Sequence, residues 1–110
     1  MNQRFHAYDA ALAMVAALRP VLAQLSKGDR SLADQVRRAA SSVALNLAEG
    51  NRRTGQDRLQ FFRIAAGSAA EVRAALEVAL ACGYIDPAPV AEVELDRVLA
   101  MVWRLTHRRE

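Results

Sequence analysis

The sequence is poor in the residues that build disulfide scaffolds and metal sites. Among its 110 residues it has one cysteine, Cys82, and two histidines, His6 and His107. A single cysteine cannot form an internal disulfide, and these three residues cannot supply the four ligands of a structural zinc site. The longest apolar stretches are broken well before the roughly 18 residues of a membrane span, and no signal-like apolar run follows Arg4. We therefore expect a cytoplasmic protein with no membrane segment, no metal and no cofactor.

Catalytic motifs are missing as well. The two histidines lie near opposite ends of the chain, and neither has a carboxylate or a nucleophile at motif spacing. The sequence has no Gly-rich phosphate loop, no His-Glu-x-x-His and no Gly-x-Ser-x-Gly. Cys82 is most simply a small buried apolar residue. We predict that the protein is not an enzyme, because no set of nucleophile, base and orienting group is evident.

Apolar residues in a helical pattern fill most of the chain. The sequence is 53% hydrophobic, and most of its five glycines and three prolines fall at three places, near residues 26–29, 50–55 and 83–89. The four segments between them carry apolar residues every three or four positions, and none alternates with period two. Pro20 interrupts the first segment and predicts either a kink or an irregular turn. Residues 1–110 are therefore predicted to form one all-α domain, an antiparallel up-down-up-down four-helix bundle.

Capping residues predict where the helices begin and end. The expected starts are Ser31 with Asp34, Thr54 with Asp57, and Asp86 with Pro87, and the expected stops are Gly50 and Gly83.

A stripe of polar residues borders the apolar stripe of the second segment. At about 100° per residue, Arg38, Ser42, Asn46 and Glu49 fall within an arc of about 80°. A buried charge needs a partner, so Arg38 is expected to meet a carboxylate, either Glu49 or Glu71 of the third segment. The predicted polar network comprises Arg38, Ser42, Asn46, Glu49, Ser68 and Glu71. Its alternative role is a ligand or phosphate pocket built by Arg38 and Asn46.

Arginines are concentrated in the middle of the chain. Seven arginines and three acids lie between Arg37 and Arg73, although the whole chain has a net charge of only +3. This excess fits either a solvated basic face or contact with nucleic acid or an acidic partner. The arginines expected to hold phosphates are Arg52, Arg53, Arg58 and Arg63, with Arg108 and Arg109 as a second patch.

Some apolar and small residues fall outside the predicted core stripes. Leu45 projects from the polar side of the second segment, and Leu95, Leu99 and Trp103 flank the core arc of the fourth. The third segment has a smooth face of small residues. Exposed apolar patches usually mark subunit contacts, whereas a wider core would cover them within one chain. The predicted interface comprises Leu45, Ala66, Gly67, Ala70, Ala74, Leu95, Leu99 and Trp103.

Two motifs carry a family resemblance. They are Gln35-x-x-Arg38-Ala-x-Ser-Ser42-Val-x-x-Asn46-Leu-Ala-Glu-Gly50 and Phe61-Phe-Arg-Ile-Ala65-x-Gly-Ser68-x-x-Glu71, followed by Gly83-Tyr-Ile. With them the chain resembles the bacterial four-helix bundle family first noticed as proteins encoded by intervening sequences in 23S ribosomal RNA genes. The resemblance implies an antiparallel bundle, a ring that is commonly a homopentamer, and no established enzymatic activity. A related branch serves as the accessory protein of reverse transcriptases in diversity-generating retroelements, where a basic surface contacts nucleic acid.

Two positions depart from the family pattern. Ala44 and Leu45 stand where the family usually has Pro-Ala, and Arg58 lies where an aromatic or aliphatic residue is usual.

The arginines, the exposed apolar residues and the family resemblance together lead to two hypotheses for function. The first is a homopentamer that contacts RNA or DNA as an accessory protein, with a reverse transcriptase as a candidate partner. The alternative is a protein scaffold that docks its partner through Leu99 and Trp103.

Overall fold

The structure, a computed structural model, describes residues 5–107 as five helices joined by short connections. They are α1 (His6–Ala17), α2 (Arg19–Gly28), α3 (Arg30–Asn51), α4 (Gly55–Ala81) and α5 (Pro89–Thr106). All regular structure in this range is helical, so the predicted all-α class is confirmed. The predicted number of helices is wrong by one.

The additional helix arises from a break near Pro20. α1 ends before Leu18, and α2 leaves it at an angle of 45°. Pro20 lies in the first turn of α2, where its missing N–H would have no partner in the helix. The predicted kink is therefore present, and it divides one predicted helix into two. No single helix within residues 5–107 is long and apolar enough to cross a membrane, although α1 and α2 taken together reach that length and composition.

Two helices begin at residues other than those predicted. Asp29 caps α3 in place of Ser31, because its Oδ1 accepts a hydrogen bond from the Leu32 amide at 2.9 Å. Asp86 does not begin α5, which starts three residues later. Its side chain instead accepts a hydrogen bond from Gln24 Nε2, while its amide donates to Gln24 Oε1, both at 3.1 Å. Thr54 is the residue that precedes α4, as predicted.

The two glycines predicted as stops differ in what they do. Gly83 has a φ of +74°, and the amides of Gly83 and Tyr84 donate to the carbonyls of Leu80 and Ala79. This is a Schellman ending, and it confirms the predicted stop of α4. Gly50 is not a stop, because α3 continues through it to Asn51.

Gly50 is instead a point of close helix contact. A Cβ atom at Gly50 would lie 2.6 Å from Cε1 of Phe62, a buried ring of α4. Gly28 has the same role at the end of α2, where a Cβ would lie 2.6 Å from Cδ1 of Tyr84. Both glycines let a helix end approach an aromatic ring.

The core lies between α3 and α4, which pack together more extensively than any other pair, and it is completed by α1, α2 and α5. It is built largely of alanine, valine and leucine, and its largest fully buried side chains are Met14, Leu18, Leu25, Leu47, Val36, Val43, Val72, Val98 and Val102. Cys82, predicted to be buried, is exposed because it follows the last turn of α4.

Candidate nucleic-acid interface

Helix α4 sets the distance between a group of four arginines and a group of five carboxylates, two of which pair with Arg73 and Arg97. Its 27 residues, at about 1.5 Å of rise each, span nearly the whole 44 Å long axis. The connections before and after α4 therefore lie at opposite ends. We define the arginine end by Arg52, Arg53, Arg58 and Arg63, and the acidic end by Glu77, Asp86, Glu92, Glu94 and Asp96.

Arg58 is held against the end of α3. Its Nε donates to the carbonyl of Gly50 at 3.2 Å, and its Nη2 donates to the carbonyl of Asn51 at 3.1 Å. The guanidinium also lies 6.0 Å from the centre of the Phe62 ring. The Gly50 carbonyl also accepts a hydrogen bond from the Arg53 amide at 3.0 Å. The negative end of the helix dipole favours a cation here. Arg58 thus closes α3, a role that the sequence reasoning missed.

Arg53 and Arg52 surround the carboxylate of Glu49. Arg53 Nη2 lies 2.8 Å from Glu49 Oε2, and its Nη1 lies 3.6 Å from Asp57. The Arg53 guanidinium is also 5.2 Å from the centre of the Phe61 ring. Arg52 is the more exposed of the two, and its Nη1 is 3.6 Å from Glu49. Glu49 therefore pairs with the arginines of the α3–α4 connection.

Two further arginines at this end are unpaired in the described part of the chain. Arg63 on α4 and Arg104 on α5 are exposed and form no hydrogen bond or ion pair within residues 5–107. Arg108 and Arg109, the predicted second patch, lie outside the described residues.

A shallow groove lined with aromatic side chains lies beside Arg104. Its walls include Phe5, His6, Met101, Trp103 and His107. Trp103 is 58% exposed, and its indole stacks on the His107 ring with centres 4.3 Å apart and planes 10° apart. Contact between the rings of Phe5 and Phe62, 5.8 Å between centres, places this groove at the arginine end.

The predicted polar network is only partly assembled. The hydroxyls of Ser42 and Ser68 are 2.8 Å apart, which joins α3 to α4. Asn46 Nδ2 donates to the Ser42 carbonyl at 2.8 Å and to its hydroxyl at 3.0 Å. These three side chains are half-buried. Their arrangement is that of a local helix–helix contact, and whether they also bind a ligand stays a hypothesis.

The expected ion pair of Arg38 is absent from the described structure. Arg38 is exposed and has no hydrogen-bond or ion-pair partner there, while Glu49 pairs with Arg53. Glu71 is exposed and accepts a hydrogen bond from Gln35 Nε2 at 3.3 Å. Arg38 is exposed on α3, so its guanidinium stays hydrated and needs no carboxylate partner.

The predicted interface residues separate into exposed and buried groups. Leu45 is 68% exposed, Gly67, Ala70 and Ala74 are exposed, and Ala66 is half-buried. A Cβ at Gly67 would meet nothing within 4 Å, so this face of α4 is open in the single chain.

Leu95 was expected on the exposed face of α5, but it is only 3% exposed and belongs to the core. Leu99 is half-buried and Trp103 is exposed. Positions four apart advance by about 40° around a helix, so the stripe from 95 to 103 turns from the core to the surface. The wider-core alternative is therefore correct for Leu95.

The acidic end contains a second depression, between α4 and α5. Its apolar lining includes Leu76, Leu80 and Ile85, and the ion pair of Arg73 with Asp96 joins the two helices there. Among the described residues, no group of three or more His, Cys, Asp or Glu side chains could hold a metal ion.

The sequence also matches a known protein family. The sequence profile described as 23S rRNA-intervening sequence protein matches residues 3–103. The chain belongs to this family. The resemblance inferred from the motifs is thus confirmed, and in this member of the family the motif residues Ser42, Asn46, Gly50 and Ser68 all lie where α3 meets α4.

A solved structure shares the fold. It is a crystal structure, at 1.70 Å resolution, of a protein of unknown function from the S23 ribosomal protein family of Bacteroides thetaiotaomicron VPI-5482. The two chains are 17% identical and superpose with a TM-score of 0.78, over 92% of this chain and 98% of the other. No curated protein matches the sequence significantly.

Proposed function

We propose that this member of the 23S rRNA-intervening sequence family is a non-enzymatic, oligomeric accessory protein that holds nucleic-acid phosphates at its arginine end. The proposal rests on how charged residues are distributed along the chain. Residues 50–63 contain four arginines and one acid, whereas residues 77–96 contain five carboxylates and no Lys or Arg. The long α4 separates these two segments along the molecule.

The arginine end has cations that a phosphate can reach. Arg52 and Arg63 are exposed, and Arg63 has no competing partner in the described range. The exposed pairs of Arg52 and Arg53 with Glu49 are worth only about 0–1 kcal/mol each, so that a phosphate can replace the carboxylate. Arginine also matches phosphate geometry through two parallel hydrogen bonds.

Assembly of several copies would raise the overall affinity for nucleic acid. The proposed architecture is an antiparallel four-helix bundle in which the bent pair of α1 and α2 takes the place of one helix. Copies associate as a ring, five-fold by family resemblance, through the exposed face with Leu45, Gly67, Ala70 and Ala74. A ring aligns several arginine ends on one strand, and linked weak sites gain affinity through effective concentration. The proposed protein partner is a reverse transcriptase that shares the nucleic acid.

The test of phosphate binding is a titration of labelled RNA and DNA at 50 and 200 mM salt. The logarithm of affinity should fall with the logarithm of salt by about 0.7–0.9 per phosphate neutralised. Replacing both Arg52 and Arg63 by Gln should lower that slope by nearly two such steps. The matched control, Glu77→Gln with Glu92→Gln at the acidic end, removes two charges and should leave the slope unchanged. Absence of binding at both salt concentrations rejects the proposal.

The test of assembly is the mass in solution. Five copies of 12.0 kDa give about 60 kDa by light scattering, whereas a value near 12.0 kDa refutes the ring. Gly67→Leu tests the interface directly, because a Cβ at this position has no atom of the chain within 4 Å and the larger side chain would obstruct a neighbouring copy. The variant should fold normally and show a lower mass.

The exposed indole of Trp103 supports a second candidate function, that of a scaffold that binds a protein partner. Trp103 is 58% exposed and Leu99 lies beside it on α5, so the groove could hold an apolar side chain of a protein partner. Such contact depends little on salt, because it relies on apolar burial. A protein partner bound equally well at 50 and 200 mM salt, with no binding of nucleic acid, would favour this function.

A further inference from the structure

The groove at the arginine end combines two kinds of group that bind single-stranded nucleic acid. Trp103 offers a large exposed aromatic surface, already stacked on His107. Arg104 lies in the same groove and has no partner within residues 5–107. Proteins that hold single strands combine stacking aromatic rings with cations that follow the backbone.

The Trp103–His107 stack is held in a defined orientation. Nδ1 of His107 lies 2.9 Å from the carbonyl oxygen of Trp103, to which it can donate, and 3.1 Å from the Thr106 hydroxyl. That hydroxyl in turn donates to the carbonyl of Val102 at 2.9 Å. A platform that is ordered in advance loses less side-chain entropy when a further ring stacks on it.

The groove is connected to the predicted phosphate-binding arginines by a short series of ring contacts. Arg58 lies 6.0 Å from the centre of the Phe62 ring, and the Phe62 and Phe5 rings are 5.8 Å apart. Phe5 is itself part of the groove wall. A strand whose phosphates contact the α3–α4 connection therefore has a stacking surface at the same end of the molecule.

We infer that the Trp103 groove receives an unpaired nucleobase, so that the arginine end binds single-stranded nucleic acid in preference to duplex. The inference rests on the proposed function and specifies its substrate class. Phosphates alone would attract single and double strands alike, but the bases of a duplex are stacked and paired and expose no face to an indole. A single strand can turn one base onto the platform while Arg104 meets an adjacent phosphate.

The only tryptophan of the chain reports on this contact directly. We suggest three probes: an eight-nucleotide oligothymidylate, an abasic strand with the same number of phosphates, and a blunt-ended duplex without a loop. The oligothymidylate should quench the Trp103 fluorescence, and the other two should not. It should also bind about 5- to 150-fold more tightly than the abasic strand, the effect of one base–aromatic stack. Equal affinity and equal quenching with the abasic strand would overturn the inference.

Variants of Trp103 separate stacking from simple apolar contact. With a labelled oligothymidylate, Trp103→Tyr should keep most of the affinity, while Trp103→Leu, which is apolar but has no ring, should lose it. Val93→Ala is the matched control, because Val93 is 59% exposed on the same helix toward the acidic end. If the Leu and Tyr variants bind equally, stacking is rejected while phosphate binding stands. If no probe binds at 50 mM salt, the proposed function fails as well.

Discussion

The two ends of α4 solve the same structural problem in different ways. At both ends a glycine lets a helix approach an aromatic ring, Gly50 against Phe62 and Gly28 against Tyr84. At the arginine end the amides of Arg52 and Arg53 donate to the carbonyls of Glu49 and Gly50, and Arg58 adds side-chain hydrogen bonds to this helix end. At the acidic end the closure uses backbone bonds at the left-handed Gly83.

The two helix ends couple stability and charge in different ways. Closing α3 with a side chain leaves a guanidinium at the surface, so the arginine end gains positive charge as part of its structure. Closing α4 with backbone bonds alone requires no cation, and carboxylates can gather there without a structural penalty. Each end should therefore respond differently to mutation and to salt.

Gly50→Leu should have the largest effect on folding. The new side chain has no space beside Phe62, which is only 5% exposed, and overpacking of this kind costs about 3 kcal/mol of unfolding free energy. Gly28→Leu should cost less, about 1–2 kcal/mol, because Tyr84 is half-buried and can move toward solvent. Urea unfolding measures both values. Equal losses at the two glycines would show that the ends are packed alike.

The two helix closures should differ in their salt dependence. Gly83→Ala should cost about 1 kcal/mol, because alanine resists a φ of +74°. Arg58→Ala should cost about 0.5–1 kcal/mol at low salt, from the lost interaction with the α3 carbonyls. Thermal unfolding at 50 and 500 mM salt should show the Arg58 cost shrinking and the Gly83 cost constant. A salt-independent Arg58 effect would argue against its electrostatic role.

Between the ends, the Ser42–Ser68 contact should show non-additive mutation effects. Each single change to Ala should cost about 1 kcal/mol, because it removes the hydrogen bond between two half-buried hydroxyls. The double variant should cost less than the sum of the two, since both polar groups are then removed. A double-mutant cycle in urea measures the coupling, and strict additivity would exclude a stabilising contact.

Arg38→Ala should have the smallest effect, within about 0.5 kcal/mol, since Arg38 is exposed and makes no described ion pair. The sequence alone suggested a buried pair, whose disruption costs about 3–5 kcal/mol. A loss of that size in chemical unfolding would restore the buried-pair hypothesis and contradict the geometry described above.

Local signals in the sequence were sufficient for the all-helical class and for some of the helix boundaries. Pro20 and Gly83 act through their own backbone preferences, so their neighbours in the chain reveal what they do. Gly50 could not be understood in this way. Glycine is required at this position because the Phe62 ring of another helix packs against it. In the sequence alone, a glycine near a helix end is equally compatible with a stop.

The candidate site shows the same limit. Helical periodicity placed Arg38 and Glu49 on one side of α3, but it gave no information about what lies across from them. Glu49 pairs with Arg53 one turn further along, and Arg58 reaches back to α3 from the next helix. The spiral of Leu95, Leu99 and Trp103 from core to surface also required the actual packing of α5.

A hydrogen-exchange footprint of bound single-stranded RNA at 50 mM salt tests where nucleic acid binds. If the arginine end is the nucleic-acid interface, slowed exchange should be confined to residues 50–65 and 101–107, with residues 77–96 unchanged. Protection of the 77–96 segment, or no protection anywhere at a saturating RNA concentration, would contradict the account.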